Sequence, residues 1–257
     1  MNRIAPALPA LLLIAAMTGT ASAQNTIFLS QGKIEYERRI NQYAQMEERR
    51  DPGDNSGWAE ISKKFVGDKF KTDYFNLLFT REKTLYKPGK ESPGRPNPFF
   101  NDPPAQENVV YADLGQGKEV GQKTVFGHIF LLRDTLRRIH WKITDEMRVI
   151  AGFNCRRANA IIMDSIYVVA FYTDEILTSG GPESFSGLPG MILGVALPHE
   201  HITWFATRVE AVPVAPTELI PPIKGNKVNN KELLETINST FKDWGREGAF
   251  YLREIML

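Results

Sequence analysis

Two of the four histidines in the chain stand two residues apart, in His199-Glu200-His201. On an extended strand residues i and i+2 face the same way, so both imidazoles would reach one divalent metal such as zinc. Zinc needs at least a third protein ligand, and His128, Asp164, Glu183 and Cys155 are the candidates. With such a ligand in place, a metal-bound water would be the nucleophile of a hydrolase. A simpler reading is also open. Pro198 marks a strand end, and histidines beside a turn are commonly just solvated.

Cys155 is the only cysteine, so an intramolecular disulfide is impossible. As a nucleophile it would need a histidine and an orienting group beside it. Arg156 and Arg157 would depress its pKa if both converged on it, but along a strand one of them points away. The residue type favours a buried structural thiol. His128 shares a strand face with Phe126 and Phe130, the setting of a core histidine. His140 alternates with Ile139 and Trp141, which turns it outward. Asp174-Glu175 is an adjacent acid pair whose members would point to opposite faces of a strand. A nucleophile elbow, an HExxH pair, a phosphate-cradling loop and a dinucleotide fingerprint are all absent, and Gly115-Gln116-Gly117 lacks a third glycine.

The elements that must position these residues read as mainly β. Gln31 to Ile40 alternates, with Ile34, Tyr36 and Arg38 on one face and Glu35, Glu37 and Arg39 on a wet one. Asn41 to Gly57 is charged and turn-rich. Trp58, Ile61 and Phe65 recur at helical spacing, which predicts a short helix over about 56–66. Strand content returns at Tyr74–Thr80 and Thr84–Tyr86. Residues 87–104 hold six prolines and read as a long excursion loop. Strands are then expected at Val109–Leu114, Thr124–Leu132, Arg138–Ile143, Cys155–Met163, Ile166–Tyr172, Met191–Leu197 and Ile202–Val209, separated by turns rather than helices. That spacing predicts an antiparallel meander. Ala211 to Pro222 is a proline-bearing linker. Asn229 or Asn230 then caps a helix with Leu233, Leu234, Ile237, Phe241 and Trp244 on one stripe, stopped by Gly245.

The first residues have the pattern of a secretory signal: Arg3, an apolar run from Ala7 to Ala16, and a small-x-small site at Ala21-Ser22-Ala23. Cleavage after Ala23 is expected, leaving residues 24–222 as a β domain and 223–257 as a C-terminal helical segment. The apolar run is too short to span a bilayer comfortably, and no cysteine stands at the expected cleavage site to carry a lipid. Arg3 is the one charged residue in that leader, so residues 24–257 balance 30 basic against 30 acidic side chains. Such neutrality does not call for nucleic acid or an anionic membrane surface.

Gly187-Leu188-Pro189-Gly190 precedes an apolar run and reads as a type II turn, with proline presetting φ and Gly190 supplying a positive φ. Together with Trp141-Lys142-Ile143, the Gly152-Phe153-Asn154-Cys155 element with Ala158, Ala170 to Ile176, and Gly181-Pro182, this turn resembles the ordered motifs of the GLPGLI family. These are secreted proteins of Bacteroidetes-type bacteria without an agreed activity. Met191 stands where that family usually has leucine, and Phe171 where tryptophan is expected. The resemblance covers about residues 32–210 and makes Trp141, Gly152, Cys155, Gly181, Pro182, Gly187, Leu188, Pro189 and Gly190 the family-motif positions.

The expected architecture is a large, curved antiparallel sheet or half-barrel, similar to that of periplasmic lipoprotein carriers, with helices packed on one side or plugging its concavity. The function read from it is that of a non-catalytic envelope module, periplasmic or secreted, that binds a hydrophobic or peptide ligand without a cofactor. The alternative is the metal-dependent hydrolase using His199 and His201. A third reading is an accessory protein that meets an envelope partner through its edge strands.

Overall fold

The computed structural model describes residues 28–50, 67–91 and 105–257, with isolated positions between 53 and 64. The expected leader, most of the proline-rich stretch and most of the 56–66 helix lie outside the described residues. Glu60, Ile61, Lys63 and Lys64 are helical.

Strand alternation builds one sheet from two meanders. The first runs through β1 (Gly32–Asn41), β2 (Phe70–Phe79), β3 (Lys83–Pro88), β4 (Val109–Asp113), β5 (Lys118–Val125) and β6 (His128–Thr135). The second comprises β7 (Lys142–Ile150), β8 (Phe153–Ile162), β9 (Ile166–Thr173), β10 (Met191–Leu197) and β11 (Ile202–Glu210). β1 pairs antiparallel with β11 and so joins them, while the short β12 (Asn226–Val228) adds parallel to β6. The twelve strands run β12-β6-β5-β4-β3-β2-β1-β11-β10-β9-β8-β7. The sheet is therefore open between its edge strands β12 and β7, and β6 and β7, consecutive in the chain, lie on opposite sides of that seam. Residues 136–141 connect them.

β1 shows how the face is chosen. Ile34, Tyr36, Arg38 and Ile40 are buried, and the intervening residues are not. A single core cluster runs from Val110 on β4 to Ile162 on β8, so the sheet curls around it. Its open concavity is filled by α2 (Asn230–Phe241) and α3 (Gly245–Met256), named after α1 (Gln42–Arg49). Leu233, Ile237 and Phe241 of α2 and Ile255 and Met256 of α3 pack on Val125 and Leu132. Each such burial contributes about 1.5–3 kcal/mol. Asn229 caps α2 through a reciprocal pair with Glu232. On the outer face Val214 and Leu219, from the expected linker, cover Leu78, Leu85 and Tyr111. Among the described residues, no helix is long and apolar enough to cross a membrane.

Several expectations are corrected. The turn-rich stretch after Asn41 begins with helix α1, which Asn41 caps by accepting from the Ala44 amide. Only Gln45 of α1 is buried, so it carries no apolar stripe to read. The strand expected at Thr124–Leu132 is two strands, because the chain turns at Phe126-Gly127, both at positive φ. The strand expected at Arg138–Ile143 is mostly the seam connector, and β7 continues through Thr144-Asp145, where its pairing with β8 shifts register. Gly245 does not end the chain's helices: α2 ends at Phe241 and Gly245 opens α3.

Candidate functional site

The β9–β10 connection, residues 174–190, folds back over the concave face as one well-bonded loop. Ile192 N–H donates to the Gly180 carbonyl at 2.8 Å and Gly187 N–H to that of Ser179 at 3.3 Å. Thr178 Oγ1 donates to the Thr80 carbonyl at 2.8 Å, and the Trp141 indole N–H to that of Ser186 at 2.9 Å. At the start of β10, Tyr36 donates its hydroxyl to the Ile192 carbonyl at 2.6 Å.

Two glycines make this path possible. A Cβ on Gly181 would stand 2.8 Å from both Ile192 Cβ and the Phe185 oxygen. Gly190 has φ +142° and lies against the Thr173 main chain. The expected type II turn is corrected in detail. Gly190 N–H bonds to the Leu188 carbonyl, closing a three-residue turn over Pro189, and its φ is well beyond the roughly +80° of type II.

Beneath the loop lies a buried polar cluster. Arg38 and Asp73, each 1 % exposed, pair at 2.7 Å. Asn108 Nδ2 donates to Glu183 Oε2 at 2.9 Å, and Lys123 Nζ to the Ile255 carbonyl at 2.8 Å. Burial pushes the Glu183 carboxyl above its usual range. It also raises Glu119 to about 7 and brings the Lys123 ammonium down to about 8. The sequence hides this cluster because a single charged residue on an apolar strand face looks like surface. Arg38 alternating with Ile34 and Tyr36 was the one available signal.

Above the cluster, at the open seam, is a groove of about 980 Å³. Leu136 and Ile139 of the connector, Met163 of the β8–β9 turn and Met256 of α3 give it apolar walls. Arg137 and Arg138 supply cations, and Ser186 and Gly187 bring the motif loop to its rim. Asp134, also on the wall, accepts from the Asn230 and Thr135 amides, which holds its carboxyl below the usual range. Arg137 donates to the Met256 carbonyl, and burial lowers its pKa. The groove has the size and mixed lining of a ligand site.

The residues singled out from the sequence are dispersed. His199 and His201 lie in the turn between β10 and β11 and not on a strand, so the shared-face premise does not hold. His201 has φ +56°, its Nε2 is 3.0 Å from Glu48 Oε2, and His199 is exposed. Among the described residues, no three His, Cys, Asp or Glu side chains are grouped to hold a metal. Cys155 is fully buried in the main core, with its thiol pushed up to about 12 by burial. His128 is exposed at the start of β6, and Phe126 is in the turn before it, so the expected core histidine is corrected. His140 is exposed on the connector. Asp174-Glu175 opens the motif loop, where the Glu175 carbonyl accepts from the Leu29 amide at 2.8 Å. Gly152, with φ +88°, forms the β7–β8 hairpin turn with Ala151 at φ +49°. Of the motif positions, Gly187 alone lines the groove, and Trp141 braces the rim from behind through Ser186.

No curated protein sequence matches the chain. Two solved structures of PNGF-II, in P21 and C2 crystal forms, superpose with a TM-score of 0.48 at 15% identity over 84% of this chain. The chain spans about a third of their length, 34% and 33%. Residues 160–194 match a family model described as "Protein of unknown function (Porph_ging)". The strand–loop–strand unit that carries the Gly-Leu-Pro-Gly turn is thus similar to a family of unknown function.

Proposed function

We propose that the protein is an exported, non-catalytic binding module of the cell envelope that holds a hydrophobic or peptide ligand in the seam groove. The observation that carries the proposal is the groove itself: about 980 Å³, walled by Leu136, Ile139, Met163 and Met256, with Arg137 and Arg138 at hand. Apolar walls supply affinity and a few placed polar groups supply orientation. The loop that forms its rim is fixed by main-chain hydrogen bonds, so the site is preorganised and loses little ordering entropy on binding. Binding of this kind requires no metal or cofactor. Export rests on the leader pattern of residues 1–23.

The test is titration with a dansylated fatty acid and with a pool of apolar octapeptides, monitored by fluorescence and calorimetry. Saturable binding of one class is expected. Ile139→Glu should weaken it by roughly tenfold or more, since a charge pressed against apolar ligand surface costs at least about 1.4 kcal/mol. Equal binding by wild type and Ile139→Glu would remove the groove from the account.

A further inference from the structure

Between the motif loop and the sheet is a water-sized void of about 10 Å³, lined by Glu119 from β5 and Glu183 from the loop. It shares Leu114, Leu136 and Ser186 with the groove above it, so it forms part of the groove's floor. Glu183 is 4 % exposed and sits at φ +50°, held there by Asn108 on one carboxyl oxygen. Its Oε1, and Oε2 of Glu119, are buried and within bonding distance of no donor among the described residues, and the Tyr86 hydroxyl beside Glu183 is likewise left unpartnered. Two carboxylates that line one water-sized void, each with a buried oxygen left unpartnered, are the chemistry that one bridging water and one retained proton satisfy.

We propose that the 178–190 loop is a pH-sensitive cover, latched to the sheet by one water and one proton held between Glu119 and Glu183. The inference goes beyond ligand binding and holds whether or not the groove takes a ligand.

The charges around the pair favour a single proton. Glu183 faces Lys123 of β5, Arg38 of β1 and the Tyr86 hydroxyl of β3. Glu119 faces Lys123, Arg137 of the connector, Asp134 of β6 and Glu183 itself. Arg38 is already matched by Asp73. Two ionised carboxylates would repel across the void with little water to screen them. Burial, then the charges of Glu183 and Asp134, keep the Glu119 proton on to about pH 7. Glu119 is half-buried with the loop closed; with the loop lifted its carboxyl would be wholly in solvent and titrate near its ordinary 4.5. The closed state therefore binds more protons between these values. Its extra stability is complete below about 4.5, is lost as pH rises to about 7, and stays lost above.

Amide hydrogen exchange, corrected for intrinsic pH dependence, reads the loop directly at Gly187 and Ile192, whose N–H groups bond to Ser179 and Gly180. Protection should fall by up to about tenfold per pH unit between roughly pH 5 and 7 and then level off, the slope of one proton. Glu119→Gln, neutral at every pH, should flatten that profile. A flat wild-type profile, or a step unchanged in Glu119→Gln, would overturn the proposal. Should Glu119→Gln fail to fold, Glu183→Gln decides. Removing the like charge must move the step to lower pH, and an unmoved step counts against the latch.

Discussion

Gly190 rests directly on the main chain of Thr173, the last residue of β9. A Cβ added there would stand 2.7 Å from the Thr173 carbonyl carbon, closer still to its oxygen, and 2.9 Å from Asp174 Cα. The Gly-Leu-Pro-Gly motif is thus the point where the loop is pressed back onto the strand it left. Both the contact and φ +142° exclude a side chain. Gly190→Ala should destabilise by about 2–4 kcal/mol, the strain of the backbone adding to the clash. Pro189→Ala should change stability by under about 1 kcal/mol, acting through the unfolded chain. Urea unfolding of both variants checks this; a neutral Gly190→Ala contradicts it.

The buried pair Arg38–Asp73 supports the loop from below. Asp73→Ala removes the carboxylate that Arg38 meets at 2.7 Å, and should cost about 3–5 kcal/mol. Arg38→Met combined with Asp73→Leu should recover most of that loss, because the desolvation of both charges disappears together. Denaturant melts of the single and double variants give the coupling, and additive losses would show that the two do not act as a pair.

How much of this was legible depended on whether one residue type carried the signal. Met191–Leu197 is a continuous apolar run, and its bounds agree with β10 to the residue. The helix after Asn229 was legible from its apolar stripe, of which Leu233, Ile237 and Phe241 are buried. Helix α1 gave no such signal, since Gln42–Arg49 buries only Gln45, which bonds to the Glu200 carbonyl and to Glu254. The Phe126 turn was hidden because an aromatic residue at φ +47° looks like strand. Strand alternation could not reveal Lys123 or Glu183, whose burial depends on which segment the long β9–β10 loop covers. Nor could the seam be read, because the pairing of β1 with β11 is set by partners 162 or more residues apart in sequence.

Cys155, fully buried with a thiol pushed up to about 12, is inert in the folded protein. A thiol reagent should label it slowly in the native state and rapidly after denaturation. Rapid native labelling at neutral pH would contradict the placement.

His201 meets Glu48 at 3.0 Å at a half-exposed site, so the contact contributes little. His201→Ala should change stability by under about 1 kcal/mol. Zinc should bind weakly, and equally in wild type, His199→Ala and His201→Ala. Tight, stoichiometric zinc uptake lost in both variants would reopen the hydrolase reading.

The proposed ligand site is the open seam between β12 and β7. Backbone amide shifts in the full protein, recorded during titration with the dansylated fatty acid and the apolar octapeptide pool, test it most directly. Saturable shifts concentrated at Leu136, Ile139, Met163, Ser186 and Gly187 are expected, with the β1–β2 core unmoved. Shifts confined to other surfaces, or no saturable shift with either probe, would contradict it.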